Sequence, residues 1–485
     1  MEDVISVPEP QFTGRILMVG RPSESAQTVR ALRDSAGLTI SSSREYDASA
    51  VPPSALAEGD GIYLDEIGIC ILSVGDADQL ERVASISSMS DEPDGPIMEP
   101  EQMVHALDED FGDYLRGFRD AAAALAERYD NAGRAEDMGD IDVIDTEAGA
   151  LAILRATWGL KKTRTVVSPA SGQPFSGAGI KVCVLDTGMD LNHPDFVGRN
   201  ITSKSFIAGE PVQDGHGHGT HCIGTSCGPK SPAASSIERY GVAFEARIFA
   251  GKVLSNGGSG PDGGILAGIN WAIANRCEII SMSLGSPVAL GDAGFSQVYE
   301  NAARAALAAG TLIIAAAGND SENGLRPVGR PANCPSIMAV AAVSQMLRRA
   351  PFSNVTMFAP HGKVDIAGPG VGILSSVPVN KGTHGMKSGT SMATPHVAGI
   401  AALYAQSSTA LRGAALWQRL TATALTLATA PATHVGAGLV QAPRAPRGSH
   451  MMSRLGLRDI VEQAGRGRSV MAAAEKPAGK PSRKK

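Results

Sequence analysis

Between residues 151 and 442 of this 485-residue chain, short unbroken apolar runs alternate with longer runs of helical spacing. The pattern predicts strands over 180–186, 247–254, 278–284, 311–318, 337–343 and 364–367. It predicts helices from His218, over 264–275 and 295–309, from Ser391, and over 411–425. A strand that is apolar on both sides has to be covered on both sides. Strands separated by helices meet that demand as a parallel sheet between two helical layers. The expected fold class is therefore three-layer α/β. In such sheets, sites collect beyond the carboxyl ends of the strands.

Two strand ends and two helix starts carry polar groups. Val182-Cys183-Val184-Leu185 ends in Asp186-Thr187-Gly188, and Ala315-Ala316-Ala317 ends in Gly318-Asn319. Asp214-Gly215-His216-Gly217-His218-Gly219-Thr220-His221 sets histidines among glycines at the head of an apolar segment. Gly389-Thr390-Ser391-Met392-Ala393-Thr394-Pro395-His396 opens the apolar run that ends at Tyr404. Pro395 is expected to lie in the first turns of that helix, where a missing N–H is tolerated. A serine there faces free backbone N–H groups and the positive end of the helix dipole. Taken alone it reads equally well as an N-cap. An acid, a base, an amide and a hydroxyl together match acyl transfer: a nucleophile, a proton acceptor, an orienting carboxylate and an oxyanion donor. A zinc site at His216, His218 and His221 is the other chemistry this stretch allows. It would leave Asp186, Asn319 and Ser391 without a role.

The four motifs, in this order, resemble those of the subtilases, the subtilisin-like serine proteases. The resemblance covers residues 155–442 strongly. It implies a serine endopeptidase working through an acyl-enzyme, with Asp186 as orienter, His218 as general base, Ser391 as nucleophile and Asn319 as side-chain oxyanion donor. The family motif His-Gly-Thr-His selects His218 over its neighbours. The resemblance further implies that Ser283, Leu284, Gly285, Ala317 and Gly318 wall the pocket for the residue before the scissile bond. Gly329 would form its floor, which favours a large apolar residue. Gly258, Ser259 and Gly260 match the edge to which a substrate adds as an extra strand. Met392, beside the nucleophile, implies sensitivity to peroxide. Asp195 and Asp365 match calcium-ligand aspartates of the family, although calcium asks for six to eight oxygens. The chemistry itself requires no cofactor.

Residues 15–107 read as a small α+β domain. Strands are expected over 15–19, 61–64, 68–72 and 96–107, and helices over 25–36 and 76–86. This β-α-β-β-α-β order is ferredoxin-like. It resembles, weakly in sequence but well in position, the inhibitory propeptide of secreted subtilases. That resemblance implies a self-inhibited zymogen cut by itself between Leu107 and Asp108, with the N-terminal domain as intramolecular inhibitor. An ordinary accessory domain is the alternative.

The remaining segments bound the partners. Residues 1–14 are an arm without the apolar stretch of a signal peptide, so the expected compartment is cytoplasmic, or outside the cell if a leader is missing. No apolar run approaches the roughly 20 residues of a membrane span. The net charge of −6, from 43 basic and 49 acidic residues, does not suit nucleic acid. Expected partners are protein or peptide substrates, and the expected state is a monomer. Phe111, Leu115, Phe118, Ala122, Leu125 and Tyr129 predict an amphipathic helix within an acidic insert, 108–150. Residues 443–485 read as a basic disordered tail, in which Gly448-Ser449-His450-Met451 resembles a cloning remnant. The six scattered cysteines are expected as free buried thiols.

Overall fold

The computed structural model describes residues 10–20, 25–88, 97–107, 155–166, 174–234, 236–359, 361–428 and 430–444. Most of the arm, Asp108, the expected helix of the insert and the tail beyond 444 lie outside the described residues.

The N-terminal part runs β1 (Phe12–Val19), α1 (Ser25–Ala36), β2 (Ile40–Ser42), α2 (Pro53–Glu58), β3 (Gly61–Leu64), β4 (Ile69–Leu72), α3 (Ala77–Ser88) and β5 (Met98–Ala106). Its strands lie in the order β5-β1-β4-β3-β2, antiparallel except for β2 against β3. The expected element order is present, with β2 and α2 added before β3. β2 has three residues, too few to show a period, and exists through its pairing with β3. Both faces of this sheet are apolar. Met18, Tyr63, Cys70 and Leu72 pack with Leu32 of α1 and Val83 of α3. Their neighbours Leu17, Ile62, Leu64, Ile69 and Ile71 belong to a different core, which continues into the rest of the molecule.

That larger part runs α4 (Trp158–Lys162), β6 (Lys181–Asp186), β7 (Ile201–Ser205), α5 (His218–Cys227), β8 (Arg247–Lys252), β9 (Ser259–Pro261), α6 (Asp262–Ala274), β10 (Ile279–Met282), β11 (Leu284–Gly285) and α7 (Gln297–Ala308). It continues through β12 (Leu312–Ala316), β13 (Met338–Val343), β14 (Ile366–Pro369), β15 (Ile373–Ser376), β16 (His384–Lys387), α8 (Thr390–Ser407), α9 (Gly413–Ala422) and α10 (Ala432–Val435). Seven strands form one parallel sheet in the order β14-β13-β12-β10-β6-β8-β7. Alternate residues serve alternate layers. Cys183, Leu185, Ile280, Met282, Ile313 and Ala315 face the core shared with α6 and α7. Val182, Val184, Ile279, Leu312 and Ile314 face the core shared with α5 and α8. This is the doubly covered parallel sheet that the apolar runs demand. All six cysteines are buried and none is disulfide-bonded.

The two parts share a sheet. β5 pairs antiparallel with β9, Val104 opposite Gly260, and with β11, Ala106 opposite Leu284. Its acidic residues close two helix starts. Glu101, fully buried, accepts the Gly263 N–H of α6 at 2.8 Å and is ion-paired with Arg15 at 2.6 Å. Glu99 accepts the Gln297 N–H of α7 and the Ser296 hydroxyl, both at 2.6 Å. Carboxylates are favoured at helix N-termini by the dipole and the free N–H groups. Among the described residues, no helix is long and apolar enough to cross a membrane.

Candidate active site

β6 delivers Asp186 at its carboxyl end, and α5 delivers His218 as its first residue. His218 Nδ1 lies 2.6 Å from Asp186 Oδ1, and both side chains are buried. Asp214 sets this helix start. Its carboxylate accepts the Thr187 hydroxyl at 2.9 Å and the N–H groups of His216, Gly217 and Thr220 at 3.0, 2.7 and 2.9 Å. The close approach of α5 to β6 needs Gly219, because a Cβ there would lie 2.3 Å from the Gly188 carbonyl oxygen. Burial alone would lower the His218 pKa. The adjacent Asp186 carboxylate outweighs it and holds the imidazole well above its ordinary value.

α8 begins at Thr390, so Ser391 is its second residue. Pro395 lies inside the helix and not at its start as expected. The consequence falls on Ser391, whose carbonyl is the one a residue-395 N–H would have taken. That carbonyl instead accepts the Ser283 hydroxyl at 2.9 Å and the Cys222 thiol at 3.5 Å. The proline thereby frees the Ser391 carbonyl for two side chains from other elements. Burial pushes the Cys222 thiol pKa up, against the pull of His218. It remains a neutral donor 3.9 Å from His218 Nδ1. The Ser391 hydroxyl donates to the Ser283 carbonyl at 3.1 Å, while His218 Nε2 is buried without a hydrogen bond. The Ser391–His218 hydrogen bond is therefore open in this conformation, and catalytic hydrogen bonds often close only around a bound reactant.

Asn319 follows β12 and is aimed by Thr390. Its Oδ1 accepts the Thr390 N–H at 3.0 Å and the Thr390 hydroxyl at 2.8 Å. That leaves Nδ2 as the outward donor, and it reaches the Leu107 carbonyl oxygen at 3.1 Å. Leu107 N–H points to the Ser283 carbonyl at 3.4 Å, and Ala106 N–H to the Gly258 carbonyl at 2.9 Å. The strand that ends at Leu107 thus lies along the Gly258–Ser259–Gly260 edge, with the Leu107 carbonyl on Asn319. A Cβ on Gly285 would come 3.0 Å from Leu107 Cδ1, and one on Gly329 2.8 Å from the Ser286 carbonyl oxygen. The walls expected from Ser283, Leu284, Gly285, Ala317, Gly318 and Gly329 are gathered here, all buried. Asp214 and Thr390 are supporting residues to which motif reading gave no role. An acid just ahead of a helix start was the available signal for the first.

The two expected calcium ligands have other surroundings. Asp195 accepts the Ala233 N–H at 2.6 Å, His384 Nε2 at 2.7 Å and the Tyr240 hydroxyl. Burial works to raise its pKa, and these donors outweigh that and lower it. Its other close neighbour is His193, again an imidazole. Asp365 accepts the Ala339 N–H at 2.9 Å and lies 3.6 Å from Lys363 Nζ, and burial raises it to about 6. Calcium takes six to eight oxygens. The groups placed on these two carboxylates are N–H groups, an imidazole, a hydroxyl and an ammonium.

A parallel α/β sheet with acid, histidine, serine and amide at the ends of separate elements defines the class of a serine hydrolase. The Subtilase family (Peptidase S8) model matches residues 177–448. The chain is 40% identical over 271 residues to subtilisin NAT of Bacillus subtilis subsp. natto, which covers 55% of this chain and 66% of that one. It is equally identical over the same length to subtilisin of Bacillus pumilus, covering 91% of that protein. Among solved structures, a cold adapted subtilisin-like serine proteinase aligns with TM-score 0.50 and 31% identity, over 60% of this chain and 99% of that one. The chain belongs to the subtilase family.

Replacing Asn319 with alanine removes its side-chain donor from the Leu107 carbonyl. We expect kcat on a peptide amide to fall about 10²–10³-fold with KM little changed. That magnitude is the known effect of losing this kind of donor in subtilisin itself. A change under fivefold in steady-state kinetics would remove Asn319 from the oxyanion site.

Proposed function

We propose that the chain is a serine endopeptidase, made as a zymogen that cuts itself after Leu107. One observation carries the reading. The Asn319 amide meets the Leu107 carbonyl in the same cleft that holds Ser391 and the Asp186–His218 pair. A carbonyl placed there is where an oxyanion would form. In the cycle, a peptide pairs with the Gly258–Gly260 edge. Ser391 Oγ attacks the scissile carbonyl carbon while His218 Nε2 takes its proton. Asp186 holds the imidazole by Nδ1. Asn319 Nδ2 and the Ser391 N–H hold the oxyanion. His218 then protonates the leaving amine, and water releases the acyl-enzyme by the same route. The glycines at 285 and 329 favour a large apolar residue before the scissile bond, as Leu107 is.

The zymogen reading has a second support in the cores. The N-terminal sheet turns one apolar face to α6 and α7 and sends β5 into the substrate edges. A domain so placed occupies the cleft. Intact mass of the wild type beside Ser391→Ala, incubated alike, tests the reading. We expect the wild type to lose a fragment ending at Leu107 and the variant to stay whole. Both remaining whole, or both being cut, would remove the autoprocessing step.

A further inference from the structure

Arg330 stands on the wall of the cleft and is nearly buried, 9% exposed. Its backbone is fixed by a two-way exchange with Ser286, N–H to carbonyl at 2.9 Å and carbonyl from N–H at 2.8 Å. Its guanidinium lies 5.2 Å from the centre of the Tyr299 ring. Nη2 donates to Asp262 Oδ2 at 2.9 Å, and Tyr299 donates to Asp262 Oδ1 at 2.9 Å. Asp262 is fully buried. Arg330, Asp262, Tyr299 and Ser286 all belong to the part of the chain that carries Ser391.

Only the occupant comes from the other part. Arg330 Nη1 donates to Gln102 Oε1 at 3.0 Å, and Gln102 N–H donates to Asp262 Oδ2 at 2.9 Å. Glu99 adds a second acceptor 3.9 Å from Nη2. Counting back from Leu107 as the first residue, Gln102 is the sixth. Val104, the fourth, is fully buried in the apolar core beside Leu284 and Ile265. The strand is thus read by apolar contact at its fourth residue and by a charged pair at its sixth.

We propose that the Asp262–Arg330 pair is a specificity site for the sixth residue ahead of the scissile bond, and that it takes a side chain offering an oxygen acceptor, glutamine or glutamate. This rests on the peptidase reading, in which β5 lies as a substrate lies. When β5 leaves, Asp262 loses one of its three donors and Arg330 loses its outward acceptor. Any residue restores the backbone N–H to Asp262. Only a side-chain oxygen with the reach of Gln102 restores the acceptor for Nη1. A leucine would cover that N–H and leave it unpaired, which costs more than an unmade contact in water. A lysine would bring a second cation against Arg330 and no acceptor.

The test uses the full chain and capped peptides X-Met-Val-His-Ala-Leu carrying a chromogenic amide, with X as Gln, Glu, Leu or Lys. The same peptide without X is the reference. We expect kcat/KM about tenfold higher for Gln and Glu than for Leu, with Lys lowest and the shortened peptide near Leu. Arg330→Met should bring the four values together. Because the ratio among peptides is read on one preparation, a loss of folded protein in that variant cancels. The wild-type series decides the matter without it. Four values within twofold of one another, or a preference for Lys, would overturn this site and leave the peptidase reading standing. Hydrolysis of none of the peptides by protein that has released the fragment ending at Leu107 would overturn both.

Discussion

Ser391→Ala is expected to lower kcat on a peptide amide by about 10⁶, while the folded structure stays in place. The first half follows from the role of the hydroxyl. Without a nucleophile, the histidine and the oxyanion donors are left with only water to activate. The comparable change in subtilisin costs about 2 × 10⁶ in kcat, which sets the scale. The second half follows from the environment of the side chain. Ser391 Oγ donates to the Ser283 carbonyl at 3.1 Å. That carbonyl keeps a partner in Leu107 N–H, so no buried acceptor is stranded. The net cost of one such bond is about 1 kcal/mol, small against the stability of a domain of this size. Stopped-assay turnover and thermal unfolding of the same sample separate the two effects. Residual activity within 10²-fold of wild type would mean another group attacks. A large drop in the midpoint of unfolding would mean the hydroxyl is structural.

The residues proposed to do the chemistry were legible because each sits at the end of an element whose pattern is strong. Asp186 closes an apolar strand, His218 opens a glycine-flanked helix, and Ser391 opens a helix of small residues. Their supports were not legible, because they act across the chain. Thr390 and Asn319 are 71 residues apart, and Asn319 and Leu107 are 212 apart. Nothing local in either partner marks such a bond. The same holds for the short edge strands, which no pattern marks. β9 contains Gly260 and Pro261, and β11 is two residues long. Neither has a period, and both are strands because β5 lies against them. The surroundings of Asp195 were hidden for a related reason. The motif carries Asp195, while the donors that surround it, Tyr240 and His384, come from a distant loop and from β16. Pro395 shows the converse. Its position was plain, but its effect depends on Ser283 and Cys222, which only the fold brings to the Ser391 carbonyl.

Asp186→Asn should act in two separable ways, one on the pH profile and one on the ceiling of the rate. General-base catalysis needs neutral His218, so kcat/KM rises with pH as the imidazole loses its proton. In the wild type, burial pulls the His218 pKa down and the Asp186 carboxylate more than reverses it, holding the value well above the ordinary one. The wild-type midpoint should therefore lie above about 6.5, the unperturbed imidazole value. Asparagine removes the largest upward cause and leaves the burial, so the midpoint should move down. If protonation were the whole role of Asp186, the variant would then be the better enzyme near neutrality. It should instead be slower at every pH. An amide presents either an N–H or a carbonyl to Nδ1 and no longer enforces the tautomer that leaves Nε2 free to accept a proton. In trypsin-like enzymes the equivalent change costs about 10⁴ in kcat, and a similar plateau loss is expected above the shifted midpoint. The pH dependence of kcat/KM on one peptide amide, measured for both proteins, reads both effects. An unmoved midpoint would refute the electrostatic account of His218. A downward midpoint with a plateau within tenfold of wild type would show that Asp186 sets the charge of the histidine but not its orientation.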